Sequence, residues 1–294
     1  MNQTKRKCII SGTSGFVGSH IKNFFLQNGW EVYELKHTIQ NGNASNKYLI
    51  PYSLGDKVDT KIFDDIEVFI HCAYDFKQAT WKDIFNVNVN GSINLLKAAK
   101  SAGLQKIIFI SSIAAFDNCK SMYGRAKLEI EKEALKIGAI VIRPGLVYGQ
   151  NPGGMFGALN KATSLLPIIP VIGNGKNVMF LIHIEDLCKL VYKFSIGEIK
   201  SSLNPIVAAH KEGKTFRDVI DTLLKSKSKK AFYIPIPYNL VFAMLKIAEG
   251  IGLKIRFRSD SLISMMNYDP NPHFDPEISR NIQIREFNTQ NLNS

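Results

Sequence analysis

Short apolar runs alternate with longer stretches of helical period between residue 5 and about residue 145. The runs predicted as strands are Lys7–Ser11, Glu31–Leu35, Val68–Cys72, Ile107–Ser111 and Ala139–Arg143. The stretches predicted as helices are Phe16–Asn28, Trp81–Ala102 and Met122–Ile137. Mostly apolar strands alternating with helices are typical of βαβ units, in which helices cover both faces of the sheet. The pattern predicts an α/β fold with a doubly wound parallel sheet.

The second half of the chain is less regular. We predict a dinucleotide-binding domain over residues 1–165, to which residues around 176–195 return, and a smaller, mainly substrate-binding lobe over 166–294. Tyr238–Leu245 predicts an amphipathic helix with its apolar face in the core, and a role at a membrane surface is the lesser alternative. The polar end from about residue 282 is expected to fray.

Composition is that of an ordinary globular protein: 294 residues, 45% hydrophobic and 21% charged. It excludes disordered, fibrous and disulfide-scaffold classes. The charge is unusual, since 37 basic minus 25 acidic residues gives +12. Residues 196–258 contribute +7 of it, from 12 basic and 5 acidic residues. An anionic ligand is expected, whereas no nucleic-acid recognition motif accompanies the charge and no nucleic-acid partner is predicted.

The four cysteines are far apart, and neither a CxxC pair nor a Cys/His cluster with metal-ligand spacing is present. We therefore expect a reduced, cytoplasmic protein without a metal site. The N-terminal apolar run ends at Gly12, too soon for the core of a signal peptide. Prolines and charges interrupt the apolar segment Phe232–Leu253, so no membrane span is predicted.

A glycine-rich turn, Gly12, Gly15 and Gly18 in GTSGFVG, follows the first strand and opens the first helix. Glycines allow the backbone to approach a pyrophosphate, which the helix N-terminus attracts. A tight turn without a ligand is the alternative, but the flanking strand and helix favour a dinucleotide site. The second strand is followed by Lys36 and His37 in place of the acid that binds the ribose of NAD, which favours NADP(H) over NAD(H) with Lys36 at the 2′-phosphate. A solvated lysine is the alternative there.

A second constellation lies further along. Ser111 and Ser112 end the fourth strand, and Tyr123 and Lys127 are four residues apart on the next helix, which places them on one face. A lysine ammonium there is expected to lower the phenol pKa from about 10. The phenol would then exchange a proton with a substrate oxygen that a serine also binds.

These segments resemble the extended short-chain dehydrogenases/reductases of the NAD-dependent epimerase/dehydratase group, which mostly act on nucleotide sugars. The resemblance covers residues 8 to about 190, in GTSGFVGSH, HCA, NVNGSINLLKAA, FISS, YGRAKLEIE, IRPGLVYG and IHIEDL. It implies a catalytic triad of Ser112, Tyr123 and Lys127. It also implies cofactor contacts from Gly12, Gly15, Phe16, Val17, Gly18, Ala73, Asn88, Ser111, Tyr123, Lys127, Pro144 and Val147. His71, Asn90, His183 and Asp186 are expected to be structural.

The sequence departs from the family pattern in two further ways. Ser112 and Tyr123 are 11 residues apart, about half the usual separation, so a more open pocket is expected. Met179 stands where the family often has an arginine that binds the substrate diphosphate. Arg256 and Arg258 are candidates for that role, because guanidinium groups bind phosphate in a bidentate manner.

The function expected is an NADP(H)-dependent oxidoreductase that acts on a keto or hydroxyl group, at C4 for preference, of a nucleotide sugar. Three alternatives stay open: a nucleotide-sugar 4-epimerase with retained NAD(P), a reductase of steroid- or flavonoid-type alcohols and ketones, and a non-catalytic NAD(P)-binding sensor or scaffold. The resemblance also makes a homodimer an option.

Overall fold

The computed structural model describes residues 5–37, 47–200, 204–253 and 257–292. Within them the strands are β1 (Lys7–Ser11), β2 (Glu31–Lys36), β3 (Leu49–Pro51), β4 (Val68–His71), β5 (Lys106–Ile110), β6 (Ile140–Pro144), β7 (Leu146–Tyr148), β8 (Ile168–Ile172), β9 (Val178–Met179), β10 (Leu181–His183), β11 (Ile206–Ala208), β12 (Lys214–Thr215) and β13 (Phe232–Ile236). The α-helices are α1 (Phe16–Gln27), α2 (Trp81–Ile84), α3 (Gly91–Ser101), α4 (Met122–Lys136), α5 (Gly154–Leu165), α6 (Ile184–Ile196), α7 (Phe216–Ser226), α8 (Tyr238–Gly250), α9 (Ser259–Met266) and α10 (Pro276–Asn281).

The predicted strands and helices of the first half are confirmed, with ends that differ by one residue at most for all but the second helix. That helix forms in three consecutive pieces, because a π-helical turn, Phe85–Asn90, separates α2 from α3. Such turns occur mostly as single bulges and often near functional sites.

The main sheet contains seven parallel strands among the described residues, in the order β11-β6-β5-β4-β1-β2-β3. Strand β1 pairs with β2 on one side and with β4 on the other, so that Ser11 lies opposite both Leu35 and His71. The strand order reverses here, and ligands of doubly wound folds bind in the crevice at that reversal. The predicted fold class is confirmed. Strand β11 was not predicted, because three residues are too few to show a period.

Helices cover both faces of this sheet. On one face α1 packs on α6, with Phe25 and Leu190 buried between them and the strands. On the other face Leu95 of α3 and Ile130 of α4 are fully buried against Phe69. A third core lies between α5, α7 and β8 in the second half. Helix α6 and strand β11 thus return to the main sheet, and the division at residue 165 stays a prediction.

The expectation that the chain frays from residue 282 is wrong for the described residues up to 292. Ile282, Phe287 and Leu292 are buried. The backbone N–H of Arg285 donates to Asp186 Oδ2 at 2.9 Å, and its Nε donates to Asp186 Oδ1 at 3.0 Å. Three spaced apolar side chains and a buried ion pair fix a segment whose average composition is polar.

The predicted helix after Pro237 forms as α8, but its packing differs from the expectation. Val241, Phe242 and Leu245 pack against the third core, yet no residue of α8 is fully buried. Other apolar side chains of the helix, such as Ile247, are exposed. The helix therefore has two apolar sides, and only one of them contacts the core.

No described helix is both long enough and apolar enough to cross a membrane. The four cysteines are free thiols, and three of them are buried. The cytoplasmic location stays a prediction.

Candidate active site

The glycine-rich turn has a geometry that excludes side chains. Gly12 has a φ of +77°, and a Cβ there would lie 2.7 Å from the backbone nitrogen of Ala73. A Cβ at Gly18 would lie 2.3 Å from the Gly12 carbonyl oxygen. The turn is thus pressed against both the start of α1 and the two residues that follow β4, Cys72 and Ala73.

The first turn of α1 presents its N–H groups to the crevice. Gly15 is the N-cap residue and caps no N–H with a side chain, and the first turn contains no acid. Ser14 and Gly15 are exposed. Uncapped N–H groups and a positive dipole end attract an anion. The residues present, with Phe16 and Val17 as the first two of the helix, therefore fit the pyrophosphate of a dinucleotide.

Ser11 fixes the ends of β1 and β4 beneath this turn. Its Oγ accepts hydrogen bonds from the N–H groups of Cys72 (3.2 Å) and Ala73 (3.4 Å), which leaves its proton for His71 Nδ1 at 2.6 Å. Burial lowers the pKa of His71 to about 3, so this imidazole is neutral. It lies between the rings of Phe69 and Phe109. The expectation that His71 packs locally is confirmed.

Charged side chains meet at the carboxyl end of β2. Lys36 Nζ lies 3.1 Å from Glu34 Oε2, and Lys22 Nζ lies 3.6 Å from Glu34 Oε1. Burial by itself would raise the pKa of Glu34, but the Thr13 hydroxyl and the two ammonium groups outweigh it and lower the pKa. His37 pairs with the hydroxyl of Ser53. Lys36 therefore belongs to a cluster of two cations and one buried carboxylate.

The three predicted catalytic residues come together at the carboxyl end of β5 and the start of α4. Burial raises the pKa of Tyr123 to about 12, while a hydrogen-bonding interaction with the Ser112 hydroxyl opposes that rise. Lys127 is buried, and its Nζ donates to the carbonyl oxygen of Ile110 at 2.9 Å. Burial lowers the pKa of Lys127 to about 8.

The expectation that Lys127 lowers the pKa of Tyr123 is wrong for this structure. The Lys127 ammonium is directed to the Ile110 carbonyl and lies 4.7 Å from the centre of the Phe109 ring. Loss of water around the phenol is the dominant effect on Tyr123. The phenol is therefore protonated at neutral pH in the cofactor-free protein.

Ser111, predicted to lie along the cofactor, takes part in a buried ionic network. Its hydroxyl donates to Glu131, which is 1% exposed. Arg143 binds the same carboxylate through Nη2 at 2.6 Å and Nε at 2.9 Å. The backbone N–H of Ser111 donates to the Ile142 carbonyl at 2.7 Å, and its predicted cofactor contact stays a prediction. Sequence reasoning missed the role of Glu131, although its place on the buried face of α4, four residues after Lys127, is a usable signal.

An aromatic loop after β4 covers Tyr123. The Tyr74 ring packs edge-on to the Tyr123 ring, with centroids 5.0 Å apart, and Phe76 stacks on it at 5.7 Å. Asn88, fully buried in the π-helical turn, holds this loop: its Oδ1 accepts from the N–H of Asp75 at 2.6 Å and its Nδ2 donates to the Asp75 carbonyl at 3.0 Å. Asn88 is thus a positioning residue here, and its predicted cofactor contact stays a prediction.

Helix α9 fixes the start of α4. The Asp260 carboxylate accepts the backbone N–H groups of Met122 at 2.7 Å and of Tyr123 at 3.0 Å. Arg258 donates to the carbonyls of Phe76 and Gln78. These contacts give Arg258 a positioning role, and its predicted diphosphate contact stays a prediction. No signal in the sequence indicates the role of Asp260, because its partners are 137 or more residues away along the chain. The other candidate for the diphosphate, Arg256, lies outside the described residues.

Other residues named from the sequence lie on β6, β7, β9 and β10, and the predicted cofactor contacts of Pro144 and Val147 stay predictions. The Pro144 carbonyl accepts the N–H of Ile113 at 2.9 Å, and Val147 is a half-buried residue of β7. Met179, which stands where the family often has an arginine, is buried in β9. His183 caps α6 by accepting the N–H of Glu185 at 3.3 Å, which agrees with its expected structural role.

The NAD dependent epimerase/dehydratase family model matches residues 8–195. The chain belongs to this family. Its members are NAD-dependent enzymes of the extended short-chain dehydrogenase/reductase type, so the chain is classed as an enzyme and its crevice as a nicotinamide-dinucleotide site. The resemblance stated from the sequence is confirmed.

Known members of the family differ in what they act on. The chain is 28% identical over 191 residues to a ceramide reductase of Caulobacter vibrioides, covering 63% of this chain and 59% of that protein. It is 24% identical over 265 residues to a UDP-glucose 4-epimerase of Vibrio cholerae, covering 79% of each. The solved UDP-glucose 4-epimerase of Thermotoga maritima has a TM-score of 0.61 at 21% identity, covering 78% of this chain and 85% of that one.

Proposed function

We propose that this family member is an NADP(H)-dependent oxidoreductase that reduces a keto group, or oxidises the matching hydroxyl, at a sugar carbon of a nucleotide sugar, with C4 as the expected position. The meeting of Ser112, Tyr123 and Lys127 beside the glycine turn carries the proposal. Similarity to a UDP-glucose 4-epimerase over 79% of the chain supports a nucleotide sugar as substrate.

Tyr123, Ser112 and Lys127 each have a separate role in the proposed reaction. The bound nicotinamide supplies or accepts the hydride at the substrate carbon. In reduction, Tyr123 Oη gives its proton to the carbonyl oxygen as the C=O π pair moves onto that oxygen, which leaves a phenolate. Ser112 donates a hydrogen bond to the same oxygen. The Lys127 ammonium, which binds the Ile110 carbonyl in the cofactor-free protein, would turn toward the phenolate as it forms and stabilise it. Because the pKa of Tyr123 is about 12, the phenol begins protonated, as a proton donor in the reducing direction must.

The cluster at the end of β2 supports NADP(H). Lys22 and Lys36 place two cations beside one carboxylate, Glu34, which leaves positive charge for a 2′-phosphate. We expect NADPH to bind more tightly than NADH, and Lys36→Ala to weaken NADPH about tenfold or more while NADH binding stays the same. Lys100→Ala, an exposed lysine of α3, is the control. Tighter binding of NADH by the unaltered protein would refute the preference.

Cofactor stoichiometry separates the reductase from a 4-epimerase. A reductase consumes one NADPH for each product formed, which absorbance at the NADPH band and product analysis measure together. Turnover of a UDP-sugar without any net change in NADP(H) would replace the proposal with the epimerase.

A reductase of apolar alcohols or ketones is the second candidate. Buried Met179 provides no cation for a diphosphate, Arg258 is held by loop carbonyls, and aromatic rings surround Tyr123. Similarity to a ceramide reductase points the same way. With NADPH present, a ligand of the native state raises the unfolding temperature. Protection by a long-chain or steroid ketone, with none from UDP- or GDP-sugars, would favour this candidate.

A further inference from the structure

Helix α8 exposes a line of large apolar side chains. Leu240, Met244, Ile247 and Ile251 are 53–69% exposed. Their spacing of four, three and four residues places them on one side, along about 16 Å of the helix axis. Val241, Phe242 and Leu245 occupy the other side, against the third core. We call the four exposed side chains the apolar stripe.

The two-stranded sheet that precedes α8 continues this exposure. Strands β8 and β13 pair in parallel with Phe232 opposite Ile168. Phe232 is 79% exposed and Ile168 is 46% exposed, whereas the neighbouring Ile169 is buried in the third core. The sheet and α8 thus turn apolar side chains away from the same core. Among the described residues, ten of the thirteen exposed large hydrophobic side chains belong to residues 165–168 and 232–253.

Lysines accompany this surface. Lys227 Nζ donates to the Asn160 carbonyl and to Thr163 Oγ1, each at 2.6 Å, so the basic loop 225–230 lies against the last turn of α5, beside exposed Leu165. Lys225 and Lys230 are exposed, and so is Lys246 of α8. Between residues 225 and 253 there are five lysines and one acid, Glu249.

Glu249 offsets these charges only in part, since its Oε2 lies 3.9 Å from Lys246 Nζ and its Oε1 lies 3.7 Å from Arg258 Nε. Its carboxylate accepts the Ser259 N–H at 2.7 Å and the Ser259 hydroxyl at 2.9 Å on the side of α8 away from the apolar stripe. The surface therefore combines unpaired apolar area with a one-sided positive rim. Large exposed apolar patches mark interaction surfaces, and this combination is that of helices that lie in the headgroup region of anionic membranes.

We propose that the apolar stripe of α8, with Phe232 and Ile168 beside it, docks on the surface of an anionic lipid bilayer. A second copy of the chain fits the charges less well, because a two-fold contact would place the same lysine-rich rim against itself. The proposal does not depend on which reaction the crevice performs, since the stripe contains none of the residues placed in the site and its binding is measured without turnover.

Sedimentation of the full chain with vesicles tests the proposal. The expected result is binding to vesicles of phosphatidylcholine and phosphatidylglycerol in equal parts, weakened by salt, and much weaker binding to phosphatidylcholine alone. Ile247→Glu should lower the affinity at least about tenfold, since it removes apolar area and adds a like charge to the anionic surface. The matched control, Leu26→Glu, changes an exposed apolar residue of α1 and should bind as the unaltered chain does.

A charge variant tests the rim and serves as well if Ile247→Glu fails to fold. Lys225→Gln, Lys230→Gln and Lys246→Gln together should lower affinity for the anionic vesicles about a hundredfold, at about fivefold for each lysine. The same change at Lys57, Lys100 and Lys132 is the control. No binding by the unaltered chain, or equal loss in stripe and control variants, would overturn the proposal. So would light scattering that shows a dimer which Ile247→Glu dissociates while vesicle binding persists, because a second copy would then occupy the stripe.

Discussion

Helices α4 and α8 are similar in length, with 15 and 13 residues, but they differ in which side chains they bury and which they expose. Helix α4 buries Lys127 and Glu131 completely, whereas α8 exposes Met244 and Ile247 by 60% and 65%. Buried charges and exposed large apolar side chains are the two departures from ordinary partitioning that carry information. The first lies on the helix of Tyr123, the proposed proton donor, and the second forms the proposed docking surface.

Buried charges and exposed apolar side chains affect the stability of the fold differently. A buried charge is tolerated only with partners, which Lys127 finds in a carbonyl oxygen and Glu131 finds in Arg143. Exposed apolar side chains need no partner within the fold, so they add little to stability and can change without unfolding it. We therefore expect variants of α4 to affect chemistry and stability strongly, and variants of the exposed side of α8 to affect neither.

The largest expected effect is on turnover. Tyr123→Phe removes the proton donor and should lower kcat about 10²- to 10⁴-fold, with little change in NADPH affinity. Tyr192→Phe, in an aromatic cluster on α6 away from the crevice, is the control and should retain activity. Steady-state kinetics and cofactor titration measure both. Unchanged turnover in Tyr123→Phe would leave the crevice as a cofactor-binding site without this chemistry.

The next effect is on stability. Glu131→Ala leaves Arg143 without its buried partner and should lower the free energy of unfolding by about 3–5 kcal/mol. Glu129→Ala, on the same helix, removes a carboxylate whose surface ion pair with Lys132 has an N–O distance of 2.7 Å, and it should cost about 0.5 kcal/mol or less. Urea unfolding compares the two. Similar losses of unfolding free energy in the two variants would contradict the prediction that the buried ion pair of Glu131 matters more to stability than the surface ion pair of Glu129.

A third effect is on pH dependence. Burial lowers the Lys127 pKa to about 8, so the charged form prevails below pH 8 and is lost above it. In the reducing direction kcat/KM, which reports groups of the free enzyme, should be level below pH 8 and fall about tenfold per unit above it. Lys127→Arg should remove this alkaline limb, because a guanidinium stays charged. An identical limb in the arginine variant would assign it to another group.

Much of the nucleotide-binding half could be predicted from the sequence, because its signals are local. Runs such as Ile107–Ser111 and the glycine turn show strand, turn and helix within a few residues of one another. The contacts made by α9 were out of reach, since Asp260 meets Tyr123 only through tertiary packing. The direction of the Tyr123 pKa shift was missed for a related reason: spacing showed a charge nearby, but it did not show the loss of water.

The smallest expected effect tests the exposed side of α8. Ile247→Ser should change the free energy of unfolding by no more than about 0.5 kcal/mol, because Ile247 is 65% exposed and contacts no core cluster of the described residues. Leu245→Ser, two residues away on the side that packs against the third core, should cost at least about 1 kcal/mol. Urea unfolding in the absence of lipid measures both, so that docking does not enter the result. A loss at Ile247 as large as at Leu245 would mean that the stripe is part of the folded core in solution, and the contrast with α4 would then disappear. If Ile247→Ser instead keeps the stability of the unaltered chain and loses vesicle binding, the exposed side of α8 serves membrane docking and the other side serves the fold.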